Sequence, residues 1–101
     1  MDMKSLNEAT FEQETLNTTW LIQFWASWCG PCINIKYLEE FELVAPGVQV
    51  GRVNVEENPD LAANYSIVAV PTYVLFKHGQ PVKRLIGLQT KESLQEAVRS
   101  Q

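Results

Sequence analysis

The sequence predicts an α/β fold, a mixed central β-sheet flanked by helices on both faces, and three observations carry that reading. Residues 20–25 are apolar on both alternating sides except for Gln23, as expected of a central strand covered by helices above and below, and the valine-rich residues 48–55 read as a second buried strand. Between them, Ile35, Leu38, Phe41 and Ala45 recur at helical spacing. Beyond them, residues 72–76 and 82–86 flank the turn Lys77-His78-Gly79-Gln80 as a hairpin. The element order is thus β-α-β followed by β-β-α, which closes into one mixed sheet.

Each element has its own local reason. Residues 7–17 carry Asn7 as an N-cap and set Phe11 and Leu16 in a polar stretch, which predicts a short helix; the residues before it are a candidate edge strand. The strand at 20–25 is interrupted only by Gln23 and runs directly into Cys29-Gly30-Pro31-Cys32. A helix from Cys32 to Ala45 follows, with Lys36, Glu39 and Glu40 on its polar side and Pro46-Gly47 as its stop. The valine-rich strand at 48–55 leads through Asn58-Pro59 into a short helix containing Ala62, Ala63 and Tyr65. After the hairpin, Thr90 caps a terminal helix whose Leu94, Ala97 and Val98 form one apolar stripe.

Composition narrows the classes of function. A chain of 101 residues, 46% of them hydrophobic, is expected to form a single domain over 1–101 and to bury a core without metal or disulfide staples. The N-terminus lacks the basic stretch and apolar run of a signal peptide, and no segment approaches the roughly 20 apolar residues that span a bilayer. A cytoplasmic protein with no membrane role is expected. The net charge is −4 and the eight Lys and Arg residues are scattered, which argues against nucleic acid as a partner. Glu39-Glu40-Phe41-Glu42 and Glu56-Glu57 read as solvated faces. Two cysteines and the lone His78 fall short of the about four ligands of a structural zinc or iron–sulfur site, so no metal and no cofactor are expected.

The two cysteines carry the chemistry. They stand three residues apart, and a disulfide there closes so short a loop that it contributes little as a staple; the pair suits a change of state better. A thiolate, not a thiol, attacks a disulfide. A helix opening at the motif offers free backbone N–H groups to a Cys29 thiolate, which is expected to be exposed, while Cys32 lies one turn in and less exposed. Pro31 fits a first helical turn, where its missing N–H is no loss. Cys29 is therefore read as the attacking thiol and Cys32 as the resolving thiol. Trp20 and Trp25 read as core, and Trp28, on the turn before the motif, as surface-lining.

The stretch Phe24-Trp25-Ala26-Ser27-Trp28-Cys29-Gly30-Pro31-Cys32 closely resembles the active-site signature of thioredoxins. Asn54, Asn58-Pro59, Val70-Pro71-Thr72, Phe76-Lys77-His78-Gly79 and Gly87 stand in family order and spacing over nearly the whole chain. The resemblance implies a thioredoxin fold and a protein disulfide reductase, acting on disulfide-containing proteins as a monomer and kept reduced by a thioredoxin reductase or an equivalent donor. It puts Pro71 at the family's cis-proline position. It also implies a shallow apolar groove lined by Trp28, Gly30, Pro31, Val70, Gly87 and Leu88, in which an extended substrate segment pairs with the backbone just before Pro71.

The departures from the family pattern matter equally. Gln23 stands where typical thioredoxins have a buried aspartate, and a glutamine cannot take up a proton; lower cysteine pKa values and a slower or differently pH-dependent resolving step are expected. Read without the resemblance, Gln23 is simply a hydrogen-bonded polar residue in a core. Arg52 replaces the lysine that accompanies that aspartate and, lacking a counter-charge, is expected to reach water. Tyr37 replaces a helix-kinking proline, so a straighter helix is expected. Two alternatives to a general reductase follow: a specialised or more oxidising protein with a narrow partner, and a non-catalytic binding module.

Overall fold

A computed structural model describes residues 4–33 and 47–100. Its elements are β1 (Lys4–Ser5), α1 (Phe11–Thr15), β2 (Thr19–Trp25), α2 (Gly30–Ile33), β3 (Val48–Asn54), α3 (Pro59–Asn64), β4 (Thr72–Lys77), β5 (Gln80–Ile86) and α4 (Lys91–Arg99). The expected helix beyond Ile33, with Ile35, Leu38, Phe41, Ala45, Tyr37 and the acidic run from Glu39, lies outside the described residues.

The five strands form one mixed sheet in the order β1-β3-β2-β4-β5. β2 pairs parallel with β3 and antiparallel with β4, so the strand that delivers the cysteines is central, as its all-round hydrophobicity predicts. Side-chain alternation sorts the core into two faces. Trp20, Ile22, Phe24, Val53, Val74 and Phe76 meet Phe11 of α1 and Leu61 of α3 on one face. Leu21, Val50 and Tyr73 meet Leu94 of α4 on the other. Helices thus cover both faces of the sheet.

Gly51 explains how β1 closes one edge. A Cβ there would lie 3.0 Å from the Trp20 ring and 3.2 Å from the Lys4 carbonyl oxygen, so only glycine lets β1 approach in register.

The observed boundaries correct several expectations. The first helix does not fill 7–17: the Asn7 side chain accepts the N–H groups of Ala9 and Thr10, so Asn7 shapes a turn, and the helix begins only at Phe11. The hairpin turn tightens to His78 and Gly79, both at positive φ (52° and 81°), with Lys77 paired to Gln80. That twist matches the flanking strands, and it lengthens both of them. Thr90 caps α4 as expected, its hydroxyl accepting the Ser93 N–H at 3.0 Å. Among the described residues, no helix is long and apolar enough to cross a membrane.

Candidate active site

Where β2 ends, the chain turns sharply into α2. The Cys29 N–H donates to the Ala26 carbonyl and the Cys32 N–H to the Cys29 carbonyl, each at 3.1 Å. These bonds bring the two Cα atoms to 5.3 Å, and the cysteines are joined as a disulfide. Ala26 packs against the pair, with Trp25, Val55 and Val70 around it.

Access to the two sulfur-bearing residues is graded: Cys29 is 5% exposed and Cys32 fully buried. The expectation of an exposed Cys29 is therefore corrected for the oxidised state. Bonded to a buried partner and hemmed in by Ala26 and Val70, Cys29 presents only a small fraction of its surface.

The peptide bond between Val70 and Pro71 is cis, as the resemblance implies. Pro71 is buried, and its carbonyl accepts the Gly87 N–H at 2.8 Å, which fastens the end of β5 to this loop. Gly87 has φ of 88°, a conformation that excludes most side chains although a Cβ would meet nothing within 4 Å. Trp28 is 71% exposed, and Gly30 and Leu88 also face solvent. The side chain of Pro31 lies outside the described ones.

Trp28 and Val70 line a shallow depression together with Val55, Ile67, Val68 and Ala69; Gly30, Gly87 and Leu88 lie outside that lining. Sequence reasoning missed Ile67 and Val68. Val68 is 89% exposed, and the legible signal was an apolar residue in a segment with no strand or helix period to bury it.

Behind the cysteines runs a seam of polar side chains. Gln23, buried as expected, donates from Nε2 to the Tyr73 hydroxyl at 3.2 Å and accepts the Arg52 Nε–H on Oε1 at 2.8 Å. The guanidinium can only donate, which fixes the orientation of the amide. Arg52 Nη2 donates to the Cys32 carbonyl at 2.7 Å, and its guanidinium carbon lies 4.1 Å from the centroid of the Trp25 ring. Arg52 is thus half-buried and held inward at both ends of its fork, rather than simply extended into water.

Burial pulls the Arg52 pKa below its ordinary value. The Tyr73 hydroxyl is pushed up by burial, with the Gln23 contact opposing. Trp25 is correspondingly half-buried rather than core, because its ring is the platform for Arg52, whereas Trp20 is buried as expected. Tyr73 was read from sequence only as a strand residue; nothing in the strand pattern marks its hydroxyl as the partner of Gln23.

A second unforeseen contact steadies the turn before Cys29. The Glu56 carboxylate accepts both the backbone N–H and the hydroxyl of Ser27, each at 2.7 Å. Asn54 holds the Glu56 and Glu57 N–H groups on its side-chain oxygen, so the end of β3 is laced to the end of β2. Glu56 is exposed, as expected of a solvated acidic pair, yet it has a definite partner.

Among the described residues, no group of three or more His, Cys, Asp or Glu is placed to hold a metal ion. A disulfide held between a strand end and a helix start, beside a cis-proline and an apolar surface, is suited to thiol–disulfide exchange, and the chain is a thiol–disulfide oxidoreductase.

The family follows from relatives. The thioredoxin family model matches residues 2–100. A thioredoxin of Alicyclobacillus acidocaldarius is 46% identical over 94 residues, 90% of each chain, and one of Staphylococcus aureus is 38% identical over 100 residues, covering 97% of this chain and 96% of its own. The oxidised mitochondrial thioredoxin 3 of Saccharomyces cerevisiae superposes with a TM-score of 0.86 at 30% identity, covering 98% of this chain and 95% of that one. The chain belongs to the thioredoxin family, and its fold is the thioredoxin fold.

Proposed function

We propose that residues 1–101 form one domain that reduces disulfides in proteins, with Cys29 attacking and Cys32 resolving. The Cys29 thiolate attacks one substrate sulfur, forming a mixed disulfide and expelling the other sulfur as a thiolate. The Cys32 thiolate then attacks the Cys29 sulfur and expels the remaining substrate thiolate. Two electrons pass to the substrate and the cysteine protons pass to solvent. A dithiol donor of the thioredoxin reductase class returns the pair to the reduced state, and no cofactor or metal takes part.

The observation that carries the reading is the graded access of the pair. Cys29 is the outer residue, next to exposed Trp28 and Gly30, whereas Cys32 is fully enclosed. The groove formed by Trp28, Gly30, Pro31, Val70, Gly87 and Leu88 would take an extended segment against the backbone before Pro71, which suits many protein partners. Two of these residues, Trp28 and Val70, also share a depression with the exposed Val68, which supports an apolar contact surface here. We place the protein in the cytoplasm as a monomer serving redox homeostasis.

Trapping tests the order of attack. Cys32→Ser is expected to accumulate a mixed disulfide with a disulfide-bonded protein such as insulin, and Cys29→Ser to form none; trapping by Cys29→Ser alone would reverse the roles. A more oxidising, specialised role is favoured by one observation, the uncharged Gln23 beside Arg52. The equilibrium with glutathione, compared between the natural chain and Gln23→Asp, decides it: equal potentials and equal pH profiles would exclude tuning by Gln23.

A further inference from the structure

We propose that Arg52 is a positioning residue for the resolving step: its guanidinium, docked on the backbone of Cys32 and free of any carboxylate among the described residues, favours the Cys32 thiolate. The proposal rests on the assignment of Cys32 as the resolving thiol.

The geometry is specific. A resolving thiol that is fully buried ionises reluctantly, because desolvation penalises the thiolate, so something nearby must offset that penalty. A carboxylate behind the pair would do so by accepting the proton. Here the corresponding position is Gln23, which has no proton to exchange.

Gln23 instead uses its carbonyl oxygen to hold Arg52 Nε at 2.8 Å, and the other arm of the fork reaches the Cys32 carbonyl at 2.7 Å. The Cys32 side chain springs from the residue whose backbone the cation touches, so the positive charge is held one hydrogen bond from that residue. Among the described residues, the partners of the guanidinium are Gln23, the Cys32 carbonyl and the Trp25 ring, which are uncharged and do not cancel its field.

Besides Arg52, the described side chains that pack on the pair or bond to the seam carry no charge. β2 contributes Gln23 and β4 contributes Tyr73, both neutral at physiological pH; Ala26 and Val70 are apolar. The carboxylate of Glu56 is engaged with Ser27 on the outer side of the turn. Arginine suits this place better than lysine, since its planar fork binds the amide and the carbonyl at once and keeps its charge when partly buried. Arg52 touches no reacting atom. It would act on the Cys32 sulfur by its field alone, and the Cys32 proton goes to solvent.

One equivalent of the aromatic disulfide dithiobis(nitrobenzoate), mixed with reduced protein in a stopped-flow instrument, separates the two steps. Attack by Cys29 releases one coloured thiolate and leaves a Cys29–aryl mixed disulfide. Attack by Cys32 on the Cys29 sulfur then releases the second thiolate and closes the Cys29–Cys32 bond. The pH midpoint of the second phase is expected to rise by about one unit in Arg52→Met and to stay near that of the natural chain in Arg52→Lys.

An unmoved midpoint in Arg52→Met overturns the proposal, and so does Arg52→Lys shifting as far as Arg52→Met. Should Arg52→Met not fold, Arg52→Gln serves: it keeps a planar amide that can donate a hydrogen bond but carries no charge, and is expected to raise the same midpoint, and no rise overturns the proposal. Failure of the underlying roles has a different signature, a second phase that persists in Cys32→Ser.

Discussion

On the face covered by α1 and α3, Phe11, Trp20, Phe24, Phe76 and their neighbours pack apolar surface on apolar surface, with the Phe11 and Phe76 rings edge-on at 5.2 Å. The opposite face also has an apolar cluster around Leu21 and Leu94, but through it runs the seam from Tyr73 through Gln23 and Arg52 to the Cys32 backbone. The same strands build both faces, because alternate side chains of one strand point to opposite sides. What differs is the form of the stabilisation. Burial of the aromatic face contributes stability in proportion to area and has no bearing on charge. The buried polar seam adds little net stability, since each hydrogen bond replaces one to water, but it fixes where a cation sits relative to a cysteine.

Truncation of the aromatic face should therefore damage stability and leave chemistry alone. Phe11 is 1% exposed and touches the rings of Tyr65 and Phe76, so Phe11→Ala is expected to cost about 3–5 kcal/mol in urea unfolding. The pH midpoint of the resolving phase should not move. A moved midpoint would show that the two faces are coupled, and the contrast between them would fail.

The two faces also differed in how much of them could be read in advance. Phe11, Trp20, Ile22, Phe24, Val74 and Phe76 follow from period alone, because burial of apolar groups is non-directional and needs no particular partner. Gln23 and Arg52 could be singled out, but their geometry could not: a hydrogen bond joins residues 50 apart from Gln23 to Tyr73, and its existence depends on register between β2 and β4 that no local pattern encodes. The inward hold on Arg52 and the half-buried state of Trp25 were missed for the same reason. Ser27 and Glu56 escaped because each taken alone is an ordinary surface residue.

Gly87 stands where the sheet meets the site, its N–H on the Pro71 carbonyl and its φ at 88°. A methyl group at that position meets no neighbouring atom, so Gly87→Ala isolates the backbone term and is expected to cost about 1–2 kcal/mol. This is smaller than the loss at Phe11, where contacts vanish. Denaturant midpoints of the two variants in parallel check the order; a larger loss at Gly87 would mean that the loop around Pro71, not the aromatic face, carries the greater share of stability.

The smallest effect belongs to Glu56, at the rim of both regions. The Ser27 N–H and then the Ser27 hydroxyl lower its pKa, with slight desolvation opposing, so the folded state holds its proton less tightly than the unfolded chain does. The stabilisation is present above the unfolded pKa, about 4.3 for glutamate, and is lost as pH falls through the lower folded value. Above that window the tether is intact; well below it, Ser27 is released and the turn leading to Cys29 loosens. Because the group is solvent-exposed, the change in global stability should be slight, and the Ser27 amide resonance is the place to look. Its pH titration should show a midpoint below the ordinary glutamate value, and Glu56→Gln should flatten the curve over that range. A midpoint at the ordinary value would mean that the carboxylate does not hold Ser27 in solution, and the site would then owe its order to the interior seam alone.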